Sequence, residues 1–169
     1  MLEKIQKRIV SSPVIIYTIR CFIGFLIGYY LFTKFPDFEL FWTLLSIILV
    51  ISPEEKDTRR LSIERFKSNF IGSAVAMVLI LFIQPNVYTI IAGIFITIVV
   101  CKLFKVLNMA RVALVALLII MVQPHQASMV EAPIFRFGSV AVGCIIGLLI
   151  VVFTSMLFRP LKRKFGIPY

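Results

Sequence analysis

Six apolar runs, separated by charged or proline-containing breaks, organise this chain: roughly 14 to 33, 38 to 52, 69 to 83, 87 to 101, 109 to 122 and 137 to 158. Each reads as a helix, and a helix crossing the hydrocarbon takes about 20 residues, with 17 to 25 usual. The second and fifth runs fall short: about 15 residues at 1.5 Å each give roughly 22 Å, against about 30 Å of hydrocarbon. Both stop at a proline, Pro53 after LLSIILVIS and Pro124 after VALLIIMVQ. Short segments in matching positions of two halves point to the central site of a transporter. The alternative is that neighbouring helices bury these ends or that the bilayer thins there.

The two halves match without a gap. RFKSNFIGSAVAMVLILF, from Arg65 to Phe82, returns seventy-one residues later as RFGSVAVGCIIGLLIVVF, from Arg136 to Phe153. At the same offset Tyr17-Thr18-Ile19 meets Tyr88-Thr89-Ile90, Lys34 meets Lys105, Pro53 meets Pro124 and Ile63 meets Ile134. Three spans per copy is an odd number, so the second copy enters the membrane from the opposite side. The expected fold is an all-α integral membrane protein of six transmembrane helices, built as a three-plus-three inverted repeat. Residues 1–13 form an amphipathic N-terminal segment with Lys4, Lys7 and Arg8 among apolar residues. Residues 14–83 are the first repeat, 84–158 the second, and 159–169 a basic cytoplasmic tail.

Composition agrees with a membrane protein. Sixty per cent of the residues are hydrophobic and mean hydropathy is +1.02, more apolar surface than a soluble core of 169 residues could hide. The formal charge of +10 would suggest nucleic acid in a soluble protein, but its placement follows topology. Basic residues collect before the first span, between the second and third, around the fourth and fifth, and after the sixth. Under the positive-inside rule both termini are cytoplasmic, in a multi-pass protein of a bacterial-type inner membrane, with no nucleic-acid partner. The basic N-terminus leads into a hydrophobic run without a convincing cleavage site, so the first span is expected to stay.

Two cations escape this explanation: Lys34 and Arg136 fall on the outer side. With Arg65 and Lys105 at the other end, and Arg20 and Arg111 beside them, they could form basic rings at both mouths of a path, Arg65 at the inner and Arg136 at the outer mouth. Such rings select anions, and arginine holds a carboxylate through two parallel hydrogen bonds. The plainer reading pairs Arg136 with Glu131, and Arg65 with Glu64 or Asp57, as structural clamps. Arg20, early in the first span, either snorkels to the inner surface or lines a polar path.

Gly24 and Gly28, Gly72 and Ala76, and Gly143 and Gly147 form small-residue faces that let helices approach closely. Tyr29, Tyr30, Phe32, Phe35, Phe38, Phe41 and Trp42 make an outer aromatic belt, or an aromatic mouth for a ring-bearing ligand. Cys21, Cys101 and Cys144 lack metal-ligand spacing and read as packing residues. His125 is the only histidine and reads as solvated. No catalytic constellation is visible, so no enzyme activity, cofactor or metal is expected.

Arg20, then GFLIGYY, Trp42 with LLSIILVISP, Thr58, and Arg65 followed by Gly72 resemble the membrane half of the fusaric acid resistance and aromatic acid exporter family; more distantly, the chain is similar to the plant aluminium-activated malate transporters. Trp42, Pro53, Thr58, Arg65 and Gly72 match in the first half, and Pro124, Arg136 and Gly143 in the second. The resemblance implies export or channelling of organic anions such as aromatic carboxylates, through a six-span unit that self-associates in a lipid bilayer. A chain stopping at Tyr169 is expected to lack the family's cytoplasmic domain and second six-span half. On this expectation Arg65, Arg136, Lys34, Lys105, Arg20 and Arg111 meet the anion, and Pro53, Pro124, Trp42, Gly72 and Gly143 shape the path. The competing expectation is a non-transporting membrane subunit whose basic inner face docks a partner or anionic lipid.

Overall fold

A computed structural model of the chain describes residues 12–36, 40–122 and 131–164, with side-chain surroundings as far as residue 160. Pro124, His125, Phe38, residues 1–11 and the end of the basic tail lie outside the described residues. Six α-helices and one 3-10 turn account for nearly all of what is described, with no strand among the described residues. They are α1 (Pro13–Lys34), α2 (Phe41–Val50), α3 (Glu55–Phe82), α4 (Val87–Leu103), α5 (Ala110–Val122) and α6 (Ala132–Lys164). The 3-10 turn, Leu107–Met109, leads into α5.

All six apolar runs form helices, and among the described residues three are long and apolar enough to cross a membrane: Pro13–Lys34, Glu55–Phe82 and Ala132–Pro160. α2 has 10 residues and α4 has 17, while α5 with its leading turn runs from Leu107 to Val122. The long helices also exceed their apolar runs. α3 begins at Glu55, not near residue 69, because hydropathy is blind to a helix written in Glu, Lys, Arg and Leu, all good helix formers. Glu55 and Asp57 in its first turn suit the positive end of the helix dipole. Its buried positions there, Thr58, Ser62, Ser68 and Asn69, are polar.

The packing does not follow the two sequence halves. α3 and α6 pack against each other along the centre, α6 lies against α2, and α3 lies against α5. α1 covers α2 and α6, and α4 covers α5 and α3. One core therefore joins Ile47 of α2 and Ile51 just after it to Ile150 and Val151 of α6, with Tyr17, Cys21 and Ile23 of α1 packed on it. The other joins Ile71, Val75, Ala76 and Leu79 of α3 to Cys101 of α4 and Ala113, Leu117 and Ile120 of α5. Each pair of leading helices is completed by the last helix of the opposite half.

Glycines allow both crossovers. A Cβ on Gly143 of α6 would stand 2.6 Å from the Thr43 carbonyl oxygen and 2.6 Å from the Ser46 Cβ, both on α2. A Cβ on Gly72 of α3 would collide with the Ala113 carbonyl oxygen of α5. Gly24 and Gly28 of α1 seat Leu44 and Ile47 of α2 and Ile51 just beyond its end. The faces read as packing surfaces from sequence thus bring helix backbones together inside the bundle, where contact is by close van der Waals fit. The outward residues of α1 and α4, including Phe22, Leu26, Val87, Tyr88 and Phe95, are large and apolar.

Candidate functional site

The seam between α2 and α6 is where the chain collects its buried cations. Thr43, fully buried on α2, donates from its hydroxyl to the Ser139 carbonyl oxygen of α6 at 2.8 Å and fixes the two helices in register. Beside it the guanidinium of Arg136, from the first turns of α6 and 4% exposed, lies over the Trp42 ring with Cζ 3.2 Å from the centroid. That is the geometry of a cation–π contact. Trp42 in turn meets Phe41 edge-on at 5.3 Å, and Phe41 meets Phe32 of α1 at 6.4 Å. Phe32, Phe41 and Trp42 of the aromatic belt are therefore continuous with Arg136.

Arg65 reaches the same seam from α3. Its Nε donates to the Ser46 hydroxyl at 3.2 Å. Trp42 and Ser46 are one turn apart on α2, so the two arginines make contacts separated by roughly 6 Å along that helix. Phe66 and Phe70, next to Arg65 on α3, both pack on Phe137, next to Arg136 on α6, with centroids 5.1 and 5.3 Å apart. Phe66 and Phe70 are 41% and 54% exposed, so this aromatic patch opens to the side of the bundle.

The expectation that Arg65 and Arg136 mark opposite mouths is corrected by this geometry. α3 runs about 15 Å beyond Arg65 towards Glu55, which moves Arg65 from the mouth into the body of the bundle. Its reach to Ser46 then brings it next to Arg136. Asp57, one of the acids considered for Arg65, instead pairs with Arg60 at 3.5 Å.

Arg20 marks the other end of the seam. It is 3% exposed and makes four bonds: Nη1 to the Ser52 carbonyl at 2.9 Å and the Pro53 carbonyl at 2.7 Å, Nε to Thr154 Oγ1 at 3.0 Å, and Nη2 to Ser155 Oγ at 2.8 Å. Here α2 has ended and the chain is extended, so these carbonyls have lost their helical donors. Arg20 supplies them, and the Ser52 N–H donates to Thr58 Oγ1 at 3.0 Å. The break before Pro53 is thus clamped to α1, α3 and α6. Unwound backbone inside a membrane protein requires such satisfaction. Arg20 is thus bonded into the break from one side and reaches the cavity wall on the other.

The remaining sequence-derived residues separate from this seam. Lys34, exposed in the last turn of α1, donates to the Tyr30 hydroxyl at 3.0 Å and sits at the helix end that favours cations. Lys105 is exposed beyond α4 and holds φ at 56°. Arg111 is exposed in the first turn of α5. Pro53 is exposed at the break, with its carbonyl on Arg20. Gly72 and Gly143 act as crossover points, as given above. Ser46, Ser52, Thr154, Ser155, Phe66, Phe70 and Phe137 escaped the sequence reading. The recoverable signal was the buried spacing Thr58, Ser62, Asn69 and Ser73 on α3, a polar stripe at helical period that includes Arg65.

A family model described as fusaric acid resistance protein-like matches residues 18–150. No curated protein and no solved structure matches the chain. The matched stretch contains all three seam arginines, the break at Pro53 and both crossover glycines. The chain therefore belongs to the fusaric acid resistance protein-like family, a family of transport-related membrane proteins.

Proposed function

We propose that the protein carries organic anions, aromatic carboxylates among them, across the membrane as an exporter or channel, with the α2–α6 seam as its path. One observation carries the reading: guanidinium groups from three different helices meet this seam in succession, Arg136 at Trp42, Arg65 at Ser46 and Arg20 at Ser52 and Pro53. From Arg136 to Thr154 the seam runs roughly 27 Å along α6, close to the thickness of the hydrocarbon. Arg65 and Arg136 supply the charge that draws a carboxylate out of water. Trp42, Phe66, Phe70 and Phe137 supply faces and edges for a ring.

The crossing of the last helices supports a three-plus-three inverted repeat, since α6 on α2 and α3 on α5 are the same contact with the halves exchanged. Rocking the α1–α2–α6 group against the α3–α4–α5 group would move Arg65 past Arg136 and expose the seam on its α3 side, to one side of the membrane at a time. Self-association is part of this reading, with the aromatic patch of Phe66, Phe70 and Phe137 facing the neighbouring protomer.

The test is efflux of 4-nitrobenzoate from proteoliposomes, with current recorded under a gradient of the same anion. Losing one charged hydrogen bond is worth about 1.5–3 kcal/mol, so Arg65→Gln or Arg136→Gln should slow flux about tenfold or more. Arg60→Gln, which alters only the exposed pair with Asp57, should leave it unchanged. Equal flux from all three variants would exclude the seam. If, in addition, neutralising Arg159 abolished association with anionic lipid or a partner, the protein would be a docking subunit.

A further inference from the structure

A cavity of about 600 Å³ opens where α1 and α3 begin and α6 nears its end. Arg20 forms its floor. The four bonds of Arg20 go to two carbonyls and two hydroxyls, all neutral oxygens. They engage its nitrogens through neutral oxygens, and the nearest carboxylate acting on its charge, Glu55, does so without a direct bond, so a buried cation in that state favours an anion beside it. Glu55, an acid in the cavity wall, is taken by Arg159 at 2.8 Å. Lys56 and Arg59 reach the same wall from the first turns of α3. Four cations in the lining therefore face two carboxylates, Glu54 and Glu55. The rest of the wall includes Ile16 and Phe158, an apolar surface for a ring.

We infer that this cavity is a second holding site for the transported anion, an aromatic carboxylate with its charge between Lys56 and Arg59 and its ring against Phe158 and Ile16. The inference rests on the transport reading given above and adds a station to the same path. Arg59 and Arg65 lie six residues apart on α3, roughly 9 Å along the helix. Ser62 stands between them and Thr58 just before Arg59, both buried, and the Ser52 N–H bonds to Thr58 at this level. The cavity is thus a waiting room on the near side of these buried hydroxyls, and the Arg65–Arg136 pair lies on the far side.

Binding of 4-nitrobenzoate to the full chain tests this with two readouts. Trp42 is the only tryptophan and touches Arg136, so quenching of its fluorescence reports the far pair. Equilibrium dialysis counts all bound anion. The parent should bind two per protomer and show quenching. In Lys56→Gln/Arg59→Gln the quenching midpoint should hold while affinity at the second site falls about tenfold, and Arg59→Lys should keep most of it. An unchanged second-site affinity by dialysis in the double variant overturns the proposal with the seam intact. Phospholipid phosphate that copurifies with the parent and is lost in the double variant also overturns it, by giving the cavity to a lipid headgroup. Absence of quenching, with a dialysis site lost in the double variant, supports the cavity and sinks the seam.

Discussion

Lys105 holds a left-handed conformation, φ 56°, in the place where helices usually put glycine. The Val106 N–H donates to the Cys101 carbonyl at 2.9 Å and the Lys105 N–H to the Lys102 carbonyl at 3.1 Å, which makes the end of α4 a Schellman motif. Val106 packs on the core that holds Cys101, the apolar contact that accompanies this motif. The side chain of Lys105 is exposed, so its Cβ costs about 1 kcal/mol with no contact in return. Lys105→Gly should raise the thermal midpoint in detergent by about 2–4 °C. A fall would show that the lysine charge matters more than the backbone. Lys105 and Lys34 drew notice in the sequence as cations in matching places, and each now has a local role at a helix end. Arg65 and Arg136 were legible because the repeat displayed them twice. Ser46 was not, since a serine in an apolar run looks like any small packing residue until a guanidinium reaches it. Lys56 and Arg59 were absorbed into the topological explanation of charge, which does not distinguish a solvated lysine from one lining a cavity.

Among the elements, α1 and the short helices were legible from their apolar runs, and the far ends of α3 and α6 were not. Apolar runs end where the membrane-facing surface ends, so α2 stopped near Pro53 as expected. α3 continued through fourteen residues of charged and polar sequence because its buried stripe there is made of hydroxyls. The crossover glycines give an element-level prediction. Gly143→Ala pushes a methyl group into the Thr43 backbone and should cost about 1–3 kcal/mol by separating α2 from α6. Gly138, on the same helix, has nothing within 4 Å of its missing Cβ, and Gly138→Ala should stabilise α6 by about 0.5–1 kcal/mol. Chemical denaturation of the two variants checks both signs. Equal effects would mean that helix propensity, rather than the α2–α6 approach, sets the energy.

For the whole molecule, the sequence displayed a repeat but not how its copies interlock. Dividing the chain near residue 84 follows the duplication, whereas each core takes two helices from one half and the third from the other. Residue matching along the chain carries no information on such an exchange, because the third helix looks the same whichever partner it packs on. Inversion itself is testable with single reporters. In a background with Cys21 replaced by serine, the buried Cys101 and Cys144 stay protected from a membrane-impermeant thiol reagent. Lys34→Cys should then react from outside the cell and Lys105→Cys only after the membrane is opened. Labelling of both from one side would remove the opposite orientation of the halves and the gating built on it.

The bonds of Arg20 also impose an order on biosynthesis. Its acceptor Thr154 lies 134 residues downstream and Ser155 lies 135. At about 5–20 residues per second, the ribosome delivers Thr154 roughly 7–27 s after Arg20. During that interval α1 is already in the translocon or the lipid, with the Ser52 and Pro53 carbonyls made after only 32 and 33 residues but Thr154 and Ser155 still to come. The break at Pro53 can thus be tied to α1 before the last helix exists, and α6 completes the clamp with its two hydroxyls.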